Sequence, residues 1–253
     1  MVQLICPACK VPLEYNNEQY LCKPCQEHYG IRNGIVSFNE TNHYYGKLPQ
    51  DEMEEFLRLS EVYGWKEAVS DYLPKKNPGL RRTITGPRRT ALLSLLNLKR
   101  TKMALDFGCG LGGVSILLAE SVDDVVALDG CYDRIQFLQI RKDQDKLHNI
   151  SLVCNSRAHE LPFPDASFDL IILNMVFPYL AVTLPEYDIV TAEKIIPREI
   201  TRILKPGGEI YISVRNKYCF HRLKNIVFPF GVAPKADNFN AHGYGINYCR
   251  HQA

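Results

Sequence analysis

Short apolar runs alternate with stretches of helical spacing through the middle of the chain. Lys102-Met103-Ala104-Leu105-Asp106 and Asp124-Val125-Val126-Ala127-Leu128-Asp129 each read as a short buried strand. Between them, Val114 to Ala119 (VSILLA) carries an apolar face at helical spacing, so the stretch reads as a strand–helix–strand unit. Glu209 to Val214 (EIYISV) is another strand, and Pro197 to Leu204 ahead of it reads as a helix with proline in its first turn. Upstream, Asp51 to Tyr72 is helical, with Met53, Phe56, Leu57, Val62, Trp65 and Val69 available for one face and Gly64 placed to divide it. Arg88 to Leu98 reads as a second helix, with Ala91, Leu92, Leu95 and Leu96 on one side. Near the start, Tyr20-Leu21 and His28 to Arg32 have the character of short strands, and Ser37 to Gln50 is a polar linker with Gly and Pro.

Composition narrows the class without naming a function. A chain of 253 residues buries one core and leaves length for a small appendage. Hydrophobic content of 46% and charged content of 23% are those of a globular protein, and a net charge of +2 selects no class of partner. No apolar run approaches the roughly eighteen residues that span a bilayer. The first residues, Met1-Val2-Gln3-Leu4-Ile5-Cys6-Pro7, lack the regions of a signal peptide. Nine cysteines without an export signal point to metal binding or burial, and the expected location is cytoplasmic.

Four of those cysteines have a pattern. Cys6-Pro7-Ala8-Cys9 and Cys22-Lys23-Pro24-Cys25 form two C-x2-C knuckles twelve residues apart. Two such knuckles offer four thiolates to one tetrahedral Zn²⁺ and leave no open position for catalysis, so the site is structural. A segment this short cannot fold on its own core, and metal coordination supplies the missing stability. The redox reading of C-x2-C fits this double spacing less well. His28 lies close in sequence as a substitute ligand, but the four cysteines already complete the set.

The chemistry of the larger part centres on Leu105-Asp106-Phe107-Gly108-Cys109-Gly110-Leu111-Gly112-Gly113. A glycine-rich turn between strand and helix lets backbone approach a ligand and exposes unpaired N–H groups. Asp129 ends the next strand, nineteen residues after Gly110, where a carboxylate can hold ribose hydroxyls. The departure from a dinucleotide fingerprint is Asp106, two positions before the first glycine. A carboxylate there repels a pyrophosphate and suits an ammonium or sulfonium group.

With these residues in place, the chain resembles the class I S-adenosylmethionine-dependent methyltransferases. Leu105 to Gly113 matches the first motif and Asp129 the acidic residue after the second strand. Leu161-Pro162-Phe163-Pro164-Asp165-Ala166-Ser167-Phe168-Asp169-Leu170-Ile171 matches the approach to the fourth strand, and Arg202 to Gly208 (RILKPGG) the turn before the fifth. The resemblance covers about residues 100 to 215. It implies an α/β, Rossmann-like sheet with helices on both faces, preceded by a small zinc ribbon like those ahead of some bacterial methyltransferase domains. The organisation implied is a ribbon over 1–38, a linker and helical segment over 39–98, and a cofactor-binding domain over 99–253. Carried over by position, Asp106, Gly108, Cys109 and Gly110 line the methionine and sulfonium end of S-adenosylmethionine. Asp129 holds the ribose, with Gly130 and Cys131 beside the adenine. Arg157 and Ala158 lie at the adenine edge, and Asn174 with Met175 forms the floor beneath the methionine moiety. One position departs from the family: Arg157 stands where a carboxylate usually accepts from the adenine amino group, and Arg has no acceptor to offer.

The acceptor is less legible. The resemblance implies methyl transfer to a small-molecule or glycan acceptor. The alternatives are an RNA methyltransferase that binds through the ribbon and a basic segment, and an S-adenosylmethionine-binding scaffold whose catalysis has lapsed. That segment, Leu73 to Lys102, holds nine Lys or Arg residues and no acidic one, and the acidic run from Asp51 to Glu61 is available to balance it. Asn174 and Phe177 fall at the ends of an Asn-Pro-Pro-Tyr-like pattern without its prolines. His159, His221 and His242 are candidate bases by type, and none is assigned. A helix is expected after Tyr218 through Ile226, and the residues that remain are expected to be too few for the usual final strand pair. The fifth strand is then a bare edge that a partner or a second copy would cover.

Overall fold

The structure, a computed structural model, describes residues 2–16, 18–39, 44, 46–86, 91–180, 184, 187–214 and 247–250. In chain order, its first strands are β1 (Glu14–Tyr15), β2 (Gln19–Cys22), β3 (Glu27–Arg32) and β4 (Ile35–Ser37). A helical stretch follows: α1 (Gln50–Tyr63), α2 (Trp65–Asp71), α3 (Leu73–Lys76) and α4 (Pro78–Thr85), then two 3₁₀ turns at Ala91–Leu95 and Leu98–Arg100. The remainder alternates: β5 (Met103–Phe107), α5 (Ser115–Ala119), β6 (Asp124–Asp129), α6 (Tyr132–Gln144), β7 (Ile150–Cys154), β8 (Phe168–Asn174), α7 (Phe177–Leu180), α8 (Ile189–Ile203), β9 (Leu204–Ser213) and β10 (Asn247–Arg250).

All ten strands join in one sheet of order β1-β2-β3-β4-β7-β6-β5-β8-β9-β10. Strands β4, β7, β6, β5, β8 and β9 run parallel, and the flanking pairs are antiparallel. The order reverses at β5, which lies between β6 and β8, and the carboxyl ends of those strands form the crevice of an open α/β sheet.

Each central strand feeds two cores by alternation. Leu105 and Phe107, Val126 and Leu128, and Ile171 and Leu173 pack on one face, with Ala192, Ile196, Ile200 and Ile203 of α8. Ala104, Val125, Ala127, Leu170 and Ile172 pack on the other, with Val114 to Leu118 and with Ile135 and Leu138 of α6. Helices on both faces agree with the expected fold class. A third core joins α1 to α4 through Phe56, Trp65, Leu73 and Leu80 to Phe137 and Ile140 of α6, and includes Leu111 from the glycine turn. Gly64, with φ of 103°, breaks the first helical stretch where expected.

Ile35, Val36 and Ser37 pair in parallel with Leu152, Val153 and Cys154, so the ribbon extends the main sheet. Three expectations are corrected. The helix ahead of β9 begins at Ile189, with Pro197 inside it and Asp188 capping it through the Thr191 amide at 3.0 Å. Burial of Ala192, Ile196, Ile200 and Ile203 at helical spacing outweighs a proline cost of about 3 kcal/mol. The last parallel strand is not a bare edge, because Asn247–Arg250 pairs antiparallel with Ile212 to Glu209. The stretch read as a helix from Arg88 is, where described, the 3₁₀ turn Ala91–Leu95. The helix expected through Ile226, and His221 and His242, lie outside the described residues. Among the described residues no helix is long and apolar enough to cross a membrane.

Candidate functional site

The glycine turn leaves β5 at the switch point and is held against β6 by the Gly108 and Cys109 amides, which donate to the Leu128 carbonyl at 2.7 and 3.0 Å. Gly108, Gly110 and Gly112 have φ of +78°, +55° and +76°, where a side chain is strained. Their surroundings differ. A Cβ at Gly108 would lie 2.3 Å from Val176 Cγ2, and one at Gly112 2.2 Å from Leu138 Cδ1; at Gly110 it would meet nothing within 4 Å. Two glycines therefore serve packing, and Gly110 is the one that opens on the crevice.

Asp106 is 1% exposed and accepts from Ser115 Oγ at 2.6 Å, which ties the end of β5 to the start of α5. It braces the turn from the core side. Cys109 is buried as well. Burial, then the Asp129 and Asp106 carboxylates, push its thiol well above its ordinary value, which favours the protonated form.

Asp129, at the end of β6, is 7% exposed and joins two loops: Oδ2 accepts from the Gly110 amide and Oδ1 from the Cys131 amide, both at 2.9 Å. A carboxylate accepts about four hydrogen bonds, so capacity for further donors remains. The loop after β7 comes close, since a Cβ at Gly130 would lie 3.1 Å from Ser156 Cα. Asn155 shapes that loop by accepting from the Arg157 amide at 3.0 Å and donating to the Glu160 carbonyl at 3.0 Å. Ala158 is buried, and Arg157 turns outward to pair with Glu160 at 3.1 Å. His159 lies in the same loop, edge-on to Tyr187 with ring centroids 5.3 Å apart.

Asn174 ends β8. Its Oδ1 accepts from Ser213 Oγ of β9 at 2.5 Å, and Met175 N donates to the same hydroxyl at 3.1 Å. Asn174 Nδ2 is buried and has no hydrogen-bond partner among the described residues, and Met175 has φ of +63°. The carboxyl ends of β5, β6 and β8 thus bring Gly110, Asp129 and Asn174 to one crevice.

The cysteine sulfurs of Cys6, Cys9, Cys22 and Cys25 all lie within 4.8 Å of one another, with Cys6–Cys25 at 3.9 Å and Cys9–Cys22 at 3.4 Å. Tetrahedral zinc with Zn–S bonds near 2.3 Å needs sulfurs about 3.8 Å apart, so the four fit that ion. His28 is not in the group. Burial raises the Cys6 thiol, but the Cys9 amide, the Tyr29 hydroxyl at 3.4 Å and the Ala8 amide outweigh it and bring it to about 7. The ribbon docks through Lys10, whose Nζ lies 3.1 Å from Glu199 Oε1, and through Ile5 N, which donates to Pro162 O at 3.1 Å. Glu199 also receives the Leu161 amide at 2.9 Å and Arg202 at 2.7 Å. In the basic segment, Lys76 is neutralised by Glu52 at 2.9 Å, in line with the acidic run opposite it.

The sequence pattern did not single out Asn39, Arg141 or Ser213. Asn39 Nδ2 donates to Gly130 O at 3.0 Å, and its Oδ1 accepts from Ser156 N at 2.7 Å. Arg141 is 4% exposed, donates to Leu111 O in the glycine turn at 2.9 Å and lies 4.3 Å from the Trp65 ring centroid. Burial lowers it to about 10. For Arg141 the signal was available, as a cation set beside Phe137, Leu138 and Ile140 on one helix.

Residues 105–212 match the family model described as "Methyltransferase domain". A demethylmenaquinone methyltransferase of Listeria welshimeri is 30% identical over 125 residues, 48% of this chain and 48% of that protein. One of Bacillus licheniformis is 27% identical over 122 residues, with 48% of each chain covered. The chain spans about half the length of the curated relatives it matches. Among solved structures, a Pyrococcus horikoshii protein aligns with a TM-score of 0.47 at 23% identity, covering 60% of this chain and 62% of the other. An Aquifex aeolicus methyltransferase aligns with a TM-score of 0.45 at 19% identity, covering 60% and 74%.

Proposed function

We propose that this chain, whose residues 105–212 match a methyltransferase domain, transfers the methyl group of S-adenosylmethionine to a small-molecule acceptor, with a structural zinc ion in its ribbon. The observation that carries the reading is the convergence at the switch point. Gly110 leaves room where a Cβ would stand, Asp129 keeps acceptor capacity beside it, and Asn174 Nδ2 is a buried donor without a partner among the described residues. An adenosyl amino acid needs those three things: backbone approach, a carboxylate for two hydroxyls, and polar contact for its amino-acid end. S-adenosylmethionine, when bound, supplies an electrophilic methyl group for in-line displacement. Asp129 receives the ribose hydroxyls, the Ala158 backbone reads the adenine edge, and Asn174, held by Ser213, positions the methionine end. Alignment of donor and acceptor is the main contribution such a site makes.

The curated relatives bear the name demethylmenaquinone methyltransferase, which supports a small-molecule acceptor over RNA. The pairing of Lys76 with Glu52 takes one cation out of the basic segment on which an RNA reading rests. Titration calorimetry of the zinc-loaded chain with S-adenosylhomocysteine is expected to show one site per chain; no heat of binding overturns the reading. A labelled-methyl transfer screen over lipid-soluble, glycan and RNA fractions then identifies the acceptor. Label in RNA alone contradicts the small-molecule assignment.

A further inference from the structure

We propose that Asn39 is a positioning residue through which the N-terminal ribbon sets the adenosine end of the cofactor site, so that metal in the ribbon and cofactor in the crevice bind in a coupled way. The proposal rests on the cofactor reading above and goes beyond it, since it assigns the ribbon a part in binding.

The two loops that frame the adenosine end, after β6 and after β7, approach closely at Gly130 and Ser156. Each presents one backbone group outward: the Gly130 carbonyl and the Ser156 amide. One side-chain amide satisfies both, with Asn39 Nδ2 on Gly130 O at 3.0 Å and Asn39 Oδ1 on Ser156 N at 2.7 Å. A primary amide offers donor and acceptor on one rigid plane, so it holds the two loops at one spacing. Asn39 Nδ2 also lies 3.3 Å from Cys154 Sγ, which places the amide over the end of β7. The loop so held is the one in which Arg157 replaces the carboxylate expected from the family resemblance. A bracket from outside the domain makes up in preorganisation what that loop lacks in an adenine acceptor.

Asn39 is also joined to the metal site by contiguous contacts. Tyr29 OH lies 3.4 Å from Cys6 Sγ, and the Tyr29 ring packs on Phe38 with centroids 4.6 Å apart. Phe38 N donates to Cys154 O at 2.8 Å, and the next residue is Asn39. Tyr29 belongs to β3, which pairs with β4, and β4 runs directly into Phe38 and Asn39. A ribbon held by its metal therefore fixes both the strand and the ring that lead to the bracket. Any coupling of this kind is reciprocal: if metal favours cofactor, cofactor favours metal by the same factor.

The test uses the full zinc-loaded chain and two probes, S-adenosylhomocysteine and 5′-methylthioadenosine, which carries the adenosine half alone. Asn39→Ala should weaken both by about tenfold and should deprotect the Ser156 amide in hydrogen exchange, while the unliganded Tm stays near that of the natural chain. Asn174→Ala should weaken S-adenosylhomocysteine and leave methylthioadenosine unchanged, which separates the two ends of the site. Asn39→Asp keeps the acceptor for Ser156 N and loses the donor to Gly130 O; it serves where Asn39→Ala does not fold, and should also weaken both probes. In the natural chain, saturating S-adenosylhomocysteine should slow zinc transfer to a chromogenic chelator, and in the Asn39 variants that slowing should shrink. If the natural chain binds neither probe, the cofactor reading fails. If it binds both and the Asn39 variants bind them equally well, or lose only S-adenosylhomocysteine, the bracket is refuted and the cofactor reading stands. Zinc release indifferent to ligand overturns the coupling.

Discussion

The glycine turn allows one methyl group to be placed in two environments about 23° apart in φ. Gly108→Ala and Gly110→Ala both put a side chain in the left-handed region, at φ of +78° and +55°, at a cost of about 1–2 kcal/mol each. At Gly108 the new methyl group meets Val176 at 2.3 Å, which adds an overpacking cost of about 1–3 kcal/mol. At Gly110 it meets nothing within 4 Å, so the unliganded protein bears only the backbone term. With a Tm shift of about 2–4 °C per kcal/mol for a chain of this size, Gly110→Ala should lower the unliganded Tm by roughly 2–8 °C and Gly108→Ala by more. Binding should show the opposite ranking relative to stability. The methyl at Gly110 enters the space a cofactor backbone contact needs; the same overpacking cost of about 1–3 kcal/mol corresponds to a loss of roughly five- to 150-fold in affinity for S-adenosylhomocysteine. Thermal melts without ligand and calorimetric titration with it separate the two effects. A Gly110→Ala protein that binds with unchanged affinity would show that the crevice beside Gly110 does not take the cofactor.

Three further outcomes follow from the same geometry. Asp129→Ala removes the acceptor of the Gly110 and Cys131 amides and should weaken S-adenosylhomocysteine by at least about tenfold; equal affinity would sink the ribose assignment. Cys22→Ser takes away a fully buried ligand, so bound zinc measured by native mass spectrometry should fall from one ion per chain, and retention of the ion would refute the four-thiolate site. Burial raises the Glu199 carboxyl, but Arg202 and Lys10 outweigh it and hold it below the ordinary carboxylate range. A depressed folded pKa stabilises above the unfolded value near 4.3, and that contribution is lost as pH falls through the folded value. Glu199→Gln should therefore cost about 2 kcal/mol in urea unfolding at pH 7, and the cost should shrink as pH falls below the unfolded value; a gap that does not change with pH would mean the charge is not what Lys10 and Arg202 recognise.

Local pattern carried the parts of this molecule whose causes are local. The strand over Asp124–Asp129, the division at Gly64 and the four-cysteine cluster were readable because apolar runs, a glycine and knuckle spacing each report on their own neighbourhood. The helix through Pro197 was not, because the burial that overrides proline comes from the sheet beneath it. The pairing of β4 with β7 joins Ile35 to Leu152, and no periodicity in either segment records a partner more than a hundred residues away. The proposed site divides along the same line. Gly110 and Asp129 were picked out by spacing, whereas Asn39 is a single polar residue near the start of a linker whose meaning appears only when Gly130 and Ser156 stand on either side of it.

That division bears on where the proposed cofactor domain begins. The family match starts at residue 105, and the chain before it could be taken for an attachment. Yet the stretch from Asn155 to Asp165 is held from the N-terminal side at two points, Ser156 N by Asn39 and Pro162 O by Ile5 N, and Lys10 grips Glu199 of α8, which accepts from the Leu161 amide. Leu4, Cys6, Leu13 and Cys22 share one apolar core with Leu161, Phe163 and Phe168. Loss of the first forty residues would therefore expose part of that core and release the loop that the proposed adenine site depends on. The smallest unit that holds the crevice in the described geometry includes the ribbon, although nothing in the ribbon's own sequence speaks of methyl transfer.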